Sequence, residues 1–423
     1  MLKKLRIKNF KSWKDTGEIN MAPITMFFGG NSSGKTSLLQ FLLMLKQTVE
    51  AEDYSGQIFK FNGIVDLGNF KEVVFNHDKK NAIEFWISRE GGEKDGFPFG
   101  GLIKGFTAKV AEEGGNVVIK NLEIKETKIN ELKIDQDSSK KDSGKMSFLQ
   151  RRMDDLQNGT NNFLKGGKES EFFIGRYWRY EYLIPFAYGI EYIGPLRQSP
   201  KRNYQWRNNH PTKLGTEGEL AVDAIIASNL KKGGLENKVA KALKKMGLIE
   251  SFKVRSMSKI NDEYYKVLVK KTKGSTEVLL PDVGFGVSQI LPILTALFYA
   301  KSGATLLLEQ PEIHLHPKAQ LELADIIIDV VKDENIQVII ESHSEHFLTR
   351  IQTRIADRTI SKDFAKLYFC ENESGVSKLE ELRLSNSGDI ENWPENFFGD
   401  MLGESADRVI SYLEEKKTKK EKS

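Results

Sequence analysis

GGNSSGKT, Gly29 to Thr36, follows a short apolar run, Ile24 to Phe28, and leads into SLLQFLLMLKQTVE. The run reads as a strand and the stretch after the loop as a buried helix. A loop spelled G-x-x-x-x-G-K-[ST] between a strand and a helix turns its backbone N–H groups toward an anion, and the helix N-terminus adds positive potential. On this reading Gly29, Asn31, Ser32, Ser33, Gly34, Lys35, Thr36 and Ser37 form a phosphate cradle. Lys35 is expected to reach the β- and γ-phosphates of ATP, and the Thr36 hydroxyl to bind Mg²⁺. The competing reading, a plain glycine turn, leaves the strand-and-helix context unused.

Downstream of Ser288 the chain alternates: helix (SQILPILTALFYA), strand (ATLLLEQ), helix (KAQLELADIIIDVVKD), strand (IQVIIESHS), helix (EHFLTRIQTRIAD), strand (FAKLYFC). That alternation implies a mainly parallel sheet covered on both faces. Upstream, Leu5, Ile7 and Phe10 alternate with polar residues as a half-exposed strand. Short strands are expected from Gln57 to Val110, with hairpin signals at Asn62-Gly63 and Glu90-Gly91-Gly92. Phe252 to Leu280 reads as further strands with a turn at Lys273-Gly274, and Leu235 to Gly247 as a lysine-rich amphipathic helix. GRYWRYEY, Gly175 to Tyr182, reads as a half-buried strand. Residues 127 to 171 include the polar stretch DQDSSKKDSGK and are expected to project as an insertion.

Composition bounds the function. The 423 residues are 39% hydrophobic and 29% charged, with a net charge of only +4, so any basic patch for nucleic acid must be local. One cysteine, Cys370, excludes a disulfide framework and a cysteine metal site within one chain. The start, MLKKLRIKNF, lacks an apolar signal core, and the most apolar stretch, Ile290 to Ala300, is far short of the ~20 residues that span a bilayer. A cytoplasmic location without a membrane partner is the expectation.

LLLEQPEIHLHP, Leu306 to Pro317, is the second decisive stretch. Three leucines ending in Glu309 place a carboxylate at the C-terminal edge of the sheet, where α/β folds gather their ligands. Glu309 beside a Mg²⁺ on Thr36 is the functional reading; an acid that merely ends a strand is the plain one.

FGGNSSGKTS, VGFGVSQ, LLLEQPEIHLHP and IIESHSEHFL, with the opening LRIKNFKSW, together resemble the RecF/SMC-like and OLD-like branch of ABC-type AAA ATPases. YIGPLRQSPKR and ENWPENFF resemble a bacterial subgroup with a C-terminal domain of unknown function and no fused nuclease. The resemblance covers residues 1 to about 105 and 190 to 410. It implies an α/β fold: an ABC-type P-loop ATPase with a mainly parallel sheet core, an antiparallel β subdomain and an inserted polar or helical projection. It divides the chain into an N-terminal lobe (1–105), an insertion (106–190), a C-terminal lobe (191–360), an α/β extension (361–412) and a charged tail (413–423).

The resemblance also implies site residues. Val283 to Gln289 stand where such enzymes carry the signature that caps the partner subunit's ATP, so Gly284, Gly286, Ser288 and Gln289 are expected at the nucleotide. Gly284 replaces a common serine, leaving open whether backbone N–H or Ser288 makes its contact. His343 matches the histidine that senses the γ-phosphate. Four of the six histidines, His314, His316, His343 and His346, fall in this region, and zinc ligation is the less favoured alternative. Gln310 stands where a glutamate would be the general base; an amide cannot accept a proton at neutral pH, though it can orient water. Glu312 is the nearest carboxylate that could substitute. If it faces the site turnover is normal, and otherwise slow; slow turnover is the expectation. Glu309, Gln310, Glu312 and His343 are thus the catalytic candidates, with Thr36 and Glu309 for the metal.

RQSPKRNYQWRNNHPTK, Arg197 to Lys213, holds five basic residues with Tyr204 and Trp206, suited to nucleic acid, a partner protein or the nucleotide. Only 77 residues follow His346, without a D-x-D pair; the one such pair, Asp135 and Asp137, sits in the polar insertion, so no nuclease centre is expected. The function expected is an ATP-driven homodimeric switch acting with a separate effector protein, a nuclease among the candidates, in bacterial anti-phage defence. The alternative is a RecF-like clamp on DNA. About 250 residues between Gly34 and Gly284 argue against a transporter subunit.

Overall fold

The structure, a computed structural model, describes residues 1–51, 57–90, 103–127, 178–208, 210–257 and 263–394. The chain opens with β1 (Leu2–Phe10), β2 (Trp13–Asp15), β3 (Ile19–Asn20) and β4 (Ile24–Gly29), then α1 (Lys35–Glu50) and a short α2 (Phe70–Val73). There follow β5 (Ile83–Arg89), β6 (Ile103–Glu113), β7 (Asn116–Thr127), a π-helical turn at Trp178–Leu183 and α3 (Ile184–Ala187). Next come β8 (Ile190–Ile193), β9 (Tyr204–Gln205), α4 (Ala221–Leu230), α5 (Leu235–Lys245), β10 (Ser251–Ser256), β11 (Tyr264–Lys270) and β12 (Val278–Leu279). The last part is α6 (Phe285–Tyr299), β13 (Thr305–Glu309), α7 (Pro317–Glu334), β14 (Gln337–Glu341), α8 (Glu345–Ala356), β15 (Ala365–Glu373) and β16 (Val376–Leu382).

The central sheet runs β16-β15-β4-β14-β13-β8, all parallel except β16. Its strands are apolar on both faces, as parallel strands under two layers must be. Phe27, Leu307, Ile339 and Tyr368 point into one core; Met26, Phe28, Leu306, Leu308, Val338 and Ile340 point into the other. The first core is closed by α1 and by the antiparallel sheet β2-β1-β5-β6-β7. The second is filled by α4 to α8 and the small antiparallel sheet of β9 to β12. A buried amide ties the layers: Gln337 donates to Leu2 O and Ala22 O and accepts from Leu2 N and Thr305 Oγ1, so its burial leaves no unmet polar atom.

The expected α/β class, parallel core and antiparallel subdomain are therefore present. Two expectations are corrected. Residues 57–82 hold no run of short strands; Asn69 and Glu72 form a capping box that starts α2, and the chain before it is pinned to α1 by Gln47, which donates to Lys60 O and accepts from Val65 N. Trp178–Leu183 is helical where a half-buried strand was expected: Trp178 and Tyr182, four residues apart, both face Phe106 and are fully buried. Residue 106 lies within β6, which pairs with β5 and β7. β15, the last strand of the expected alternation, lies parallel beside β4 in the central sheet, and β16 pairs antiparallel with it. The hairpin signal at Gly91-Gly92, most of the projection with Asp135 and Asp137, and the charged tail lie outside the described residues.

Candidate functional site

The loop between β4 and α1 is held by close backbone contacts that demand glycine. Gly29 has φ 138°, and a Cβ on it would lie 2.1 Å from the carbonyl oxygen of Cys370 on the adjacent β15. Gly34 has φ 98°, and its Cβ would lie 2.5 Å from Ser377 Oγ. Trp13 Nε1 donates to Gly34 O at 3.1 Å, tying the turn to the N-terminal sheet. The Lys35 ammonium folds back over the loop and donates to Gly29 O (3.0 Å) and Gly30 O (2.6 Å). Burial holds its pKa below the usual lysine value, against the nearby carboxylates Glu341 and Glu312. Asn31 and Ser32 are exposed, Ser33 is buried, and Ser37 N–H donates to Gly34 O.

Three glutamates gather at the carboxyl edge of β13 and β14. Thr36 Oγ1 donates to Glu341 Oε1 at 2.9 Å. Glu341 lies in register with Glu309 across the parallel pair, and its Oε2 is buried without a hydrogen-bond partner. Glu309 Oε1 accepts from the Tyr192 hydroxyl at 2.9 Å. Burial, then the charge of Glu341, push the Glu309 carboxyl up to about 7, opposed by the Tyr192 hydrogen bond and Arg197. Burial likewise raises Glu341 and Glu312 above the usual carboxylate range. Glu312 Oε1 accepts from Ser342 Oγ and from His343 N–H, both at 2.8 Å, while its Oε2 is buried and unpartnered.

Gln310 sits at φ 44°, and its N–H donates to Glu341 O. The Arg197 guanidinium lies beneath this turn, donating through Nη2 to Glu309 O (2.8 Å) and Gln310 O (3.2 Å). Its Nε and Nη1 are buried without partners, and Glu312 is the strongest charge acting on it. His343 is exposed, yet burial and the Lys35 charge hold its imidazole below the usual histidine value, against a hydrogen bond with the Gly29 backbone. Loop, carboxylates and His343 thus meet at one sheet edge.

Residues 283–289 start a different helix. Gly284 is the N-cap of α6, Ser288 Oγ donates to Phe285 O within the helix, and Ser288 and Gln289 are both buried. A Cβ on Gly286 would lie 3.1 Å from His314 O, and the Phe285 ring, 56% exposed, meets the His314 ring edge-on at 4.8 Å. Signature turn and His-Leu-His loop therefore form one surface. Among the described residues, no group of three or more His, Cys, Asp or Glu side chains is arranged to hold a metal.

The basic cluster is taken apart by the fold. Tyr204 and Trp206 are 8% and 9% exposed and lie in the second core, so neither ring is free to stack on a base. Arg202 pairs with Asp282, and Arg197 turns inward to the Glu309 turn. Glu341, Tyr192 and Arg197 were not among the expected site residues. Glu341 did have a signal: IQVIIE ends an apolar strand in a carboxylate just as TLLLE does.

The donor set fits the groups expected here. Hydroxyl and carboxylate oxygens suit a hard cation such as Mg²⁺. Glu341 Oε2 is buried and without a hydrogen-bond partner, an oxygen that a cation would satisfy. A lysine and a helix N-terminus suit phosphate.

A family model described as "AAA domain, putative AbiEii toxin, Type IV TA system" matches residues 24–349, and one described as "Protein of unknown function (DUF3696)" matches 360–407. No curated protein matches the chain. Among solved structures, an Smc head bound to the C-winged helix domain of ScpA is similar at a TM-score of 0.52 and 14% identity, over 90% of this chain and 98% of that one. An SMC head domain from Thermotoga maritima aligns at a TM-score of 0.42 and 12% identity, over 90% and 99%. At such identities the first of these is a likeness of fold.

Proposed function

The chain belongs to this AAA-domain family of P-loop ATPases, and from that premise we propose that it is an ATP-binding and slowly hydrolysing switch that works as a homodimer with a separate effector protein. The observation that carries the proposal is the convergence of Lys35, Thr36, Glu309, Glu312, Glu341 and His343 at the carboxyl edge of one parallel sheet.

In this reading the loop amides of 29–36 and Lys35 hold the phosphates, so the lysine exchanges its carbonyl partners for phosphate oxygens when ATP enters. Thr36 and Glu309 hold Mg²⁺, which when bound neutralises phosphate charge and polarises the γ-phosphoryl group. His343 contacts the γ-phosphate. Gln310 orients water and cannot take its proton. Glu312, whose Oε2 has no hydrogen-bond partner, takes that proton in its place. Burial raises its pKa, and it is the amide at Gln310 that carries the reading of slow turnover. Gly284, Gly286, Ser288 and Gln289 cap the partner's ATP; with Ser288 Oγ engaged by Phe285 O, backbone N–H groups of the α6 N-terminus make that contact. Because the γ-phosphate would touch both chains, ATP favours the closed dimer.

The N-terminal lobe, insertion, C-terminal lobe and extension serve this cycle, the insertion as the contact element for a partner protein or nucleic acid. The family's description as a toxin of a toxin–antitoxin system supports a role in anti-phage defence. The Smc head bound to ScpA offers a precedent for a head of this fold engaging a second protein. A RecF-like DNA clamp is the second reading, weakened by the burial of Tyr204 and Trp206.

The test is phosphate release and light-scattering mass with and without ATP, for wild type and Lys35→Ala. Expected are turnover and an ATP-dependent dimer in the wild type, both lost in the variant. A chain that stays monomeric with ATP, and a Lys35→Ala chain indistinguishable from it, would end the proposal.

A further inference from the structure

Glu309 and Glu341 end neighbouring parallel strands in register and are 6% and 3% exposed. Two buried carboxylates side by side repel each other and have both lost hydration. Such a pair needs a shared proton or a cation. Lys35, the cation acting on Glu341, donates to the carbonyls of Gly29 and Gly30, and Arg197, the cation acting on Glu309, donates to the carbonyls of Glu309 and Gln310. Meanwhile Glu341 Oε1 takes the Thr36 hydroxyl at 2.9 Å, and its Oε2 is buried with no partner at all. An orphaned anionic oxygen is costly, roughly 1–3 kcal/mol or more, unless something fills its coordination.

We propose that Glu341 is a direct ligand of a divalent-cation site formed with Thr36 and Glu309, and that this site takes its cation before nucleotide arrives. It rests on the reading of Gly29 to Thr36 as a nucleotide loop, and it assigns a residue that neither the family match nor the fold likeness assigns. Its ligands are all oxygen, two carboxylates and a hydroxyl, with no imidazole or thiolate, so it selects hard cations such as Mg²⁺ and Mn²⁺ over zinc. Three protein oxygens leave an octahedral ion several positions for water, which phosphate oxygens then replace; Mg²⁺ is held in this way where it serves phosphates. Cation binding also releases the Thr36–Glu341 hydrogen bond into coordination, so the loop is organised before the phosphates reach it.

The experiment titrates Mn²⁺ into the nucleotide-free full chain, following free Mn²⁺ by electron paramagnetic resonance. In parallel, a fluorescent ATP analogue is titrated in EDTA. The wild type is expected to bind Mn²⁺ without nucleotide, and Glu341→Gln to weaken it roughly 10–100-fold. Glu341→Gln keeps the shape of the side chain and removes the repulsion, so its melting temperature in EDTA should match or exceed the wild type's. Mn²⁺ should raise that temperature in the wild type only. Equal Mn²⁺ affinity in the two proteins, or a wild type that takes Mn²⁺ only with nucleotide, overturns the proposal. A wild type that binds Mn²⁺ through Glu341 but never the analogue overturns the nucleotide reading and leaves the cation site standing.

Discussion

Tyr192 donates its hydroxyl hydrogen bond to Glu309 Oε1 at 2.9 Å, so an edge-strand phenol controls the acid that ends the neighbouring strand. This bond favours the ionised carboxylate of a group that burial has already raised to about 7. Removing it with Tyr192→Phe raises the Glu309 pKa further. The acidic limb of the ATPase pH–rate profile should therefore move to higher pH, with the rate above the limb little changed. Superimposable profiles between pH 6 and 9 would separate Tyr192 from the chemistry.

The same raised value makes a stability statement. Because Glu309 holds its proton more tightly folded than unfolded, the unfolded chain releases that proton first as pH rises. The group's favourable contribution is complete below pH 4.5 and is lost progressively up to about pH 7. Glu309→Gln carries no charge to bury. Without metal or nucleotide it should be more stable than wild type at pH 8, by on the order of 3 kcal/mol, and about equal to it at pH 4. Urea unfolding at the two pH values, in EDTA, measures this difference; a variant no more stable at pH 8 contradicts it.

In the proposed mechanism Gln310 orients the water and Glu312 takes its proton. Glu312→Gln should lower turnover about 10²-fold, the usual worth of a proton acceptor, because Oε2 is the free carboxylate oxygen near the Gln310 turn. Gln310→Glu should raise turnover by supplying a base at the strand end. Single-turnover phosphate release reads both. Undiminished hydrolysis in Glu312→Gln removes Glu312 from the mechanism.

Trp178 is the centre of the aromatic core that replaced the expected strand. Its indole meets Phe106 edge-on at 5.6 Å, stacks on Tyr182 at 5.9 Å and donates Nε1–H to Ile58 O at 2.9 Å. Trp178→Ala should cost roughly 3–5 kcal/mol. Trp178→Phe should cost less, keeping most of the ring and losing the hydrogen bond. Denaturant midpoints for the two variants check the order, and near-equal values would show that this helical turn is not part of the core.

Much of the fold was legible because its signals are local. The Gly29 to Thr36 loop needs only backbone conformation and its two flanking elements. The helix–strand alternation after Ser288 needs only periodicity. Glu309, Gln310, Glu312 and His343 were locatable because each closes or follows an apolar strand. Residues 57–82 and Trp178–Leu183 misled for a complementary reason. Short aromatic segments satisfy strand and helix patterns alike, and what decided them was a capping box and the shared face of Trp178 and Tyr182 toward Phe106. Tyr204 and Trp206 looked like a stacking platform because exposure cannot be read from residue type; the core claimed both rings.

The sequence alone determined that a glycine-rich loop opens α1, that a mainly parallel sheet carries it, and that the strand Thr305–Glu309 is followed by an amide, Gln310. These are properties of single segments, set by backbone chemistry and hydrophobic period. The tertiary structure alone decided which acid meets Thr36. Two strands each end in glutamate, and only the sheet order, with β14 lying between β4 and β13, brings Glu341 onto the hydroxyl and Glu309 onto Tyr192. Strand order is a long-range outcome of packing two cores against one sheet, and no local pattern encodes it.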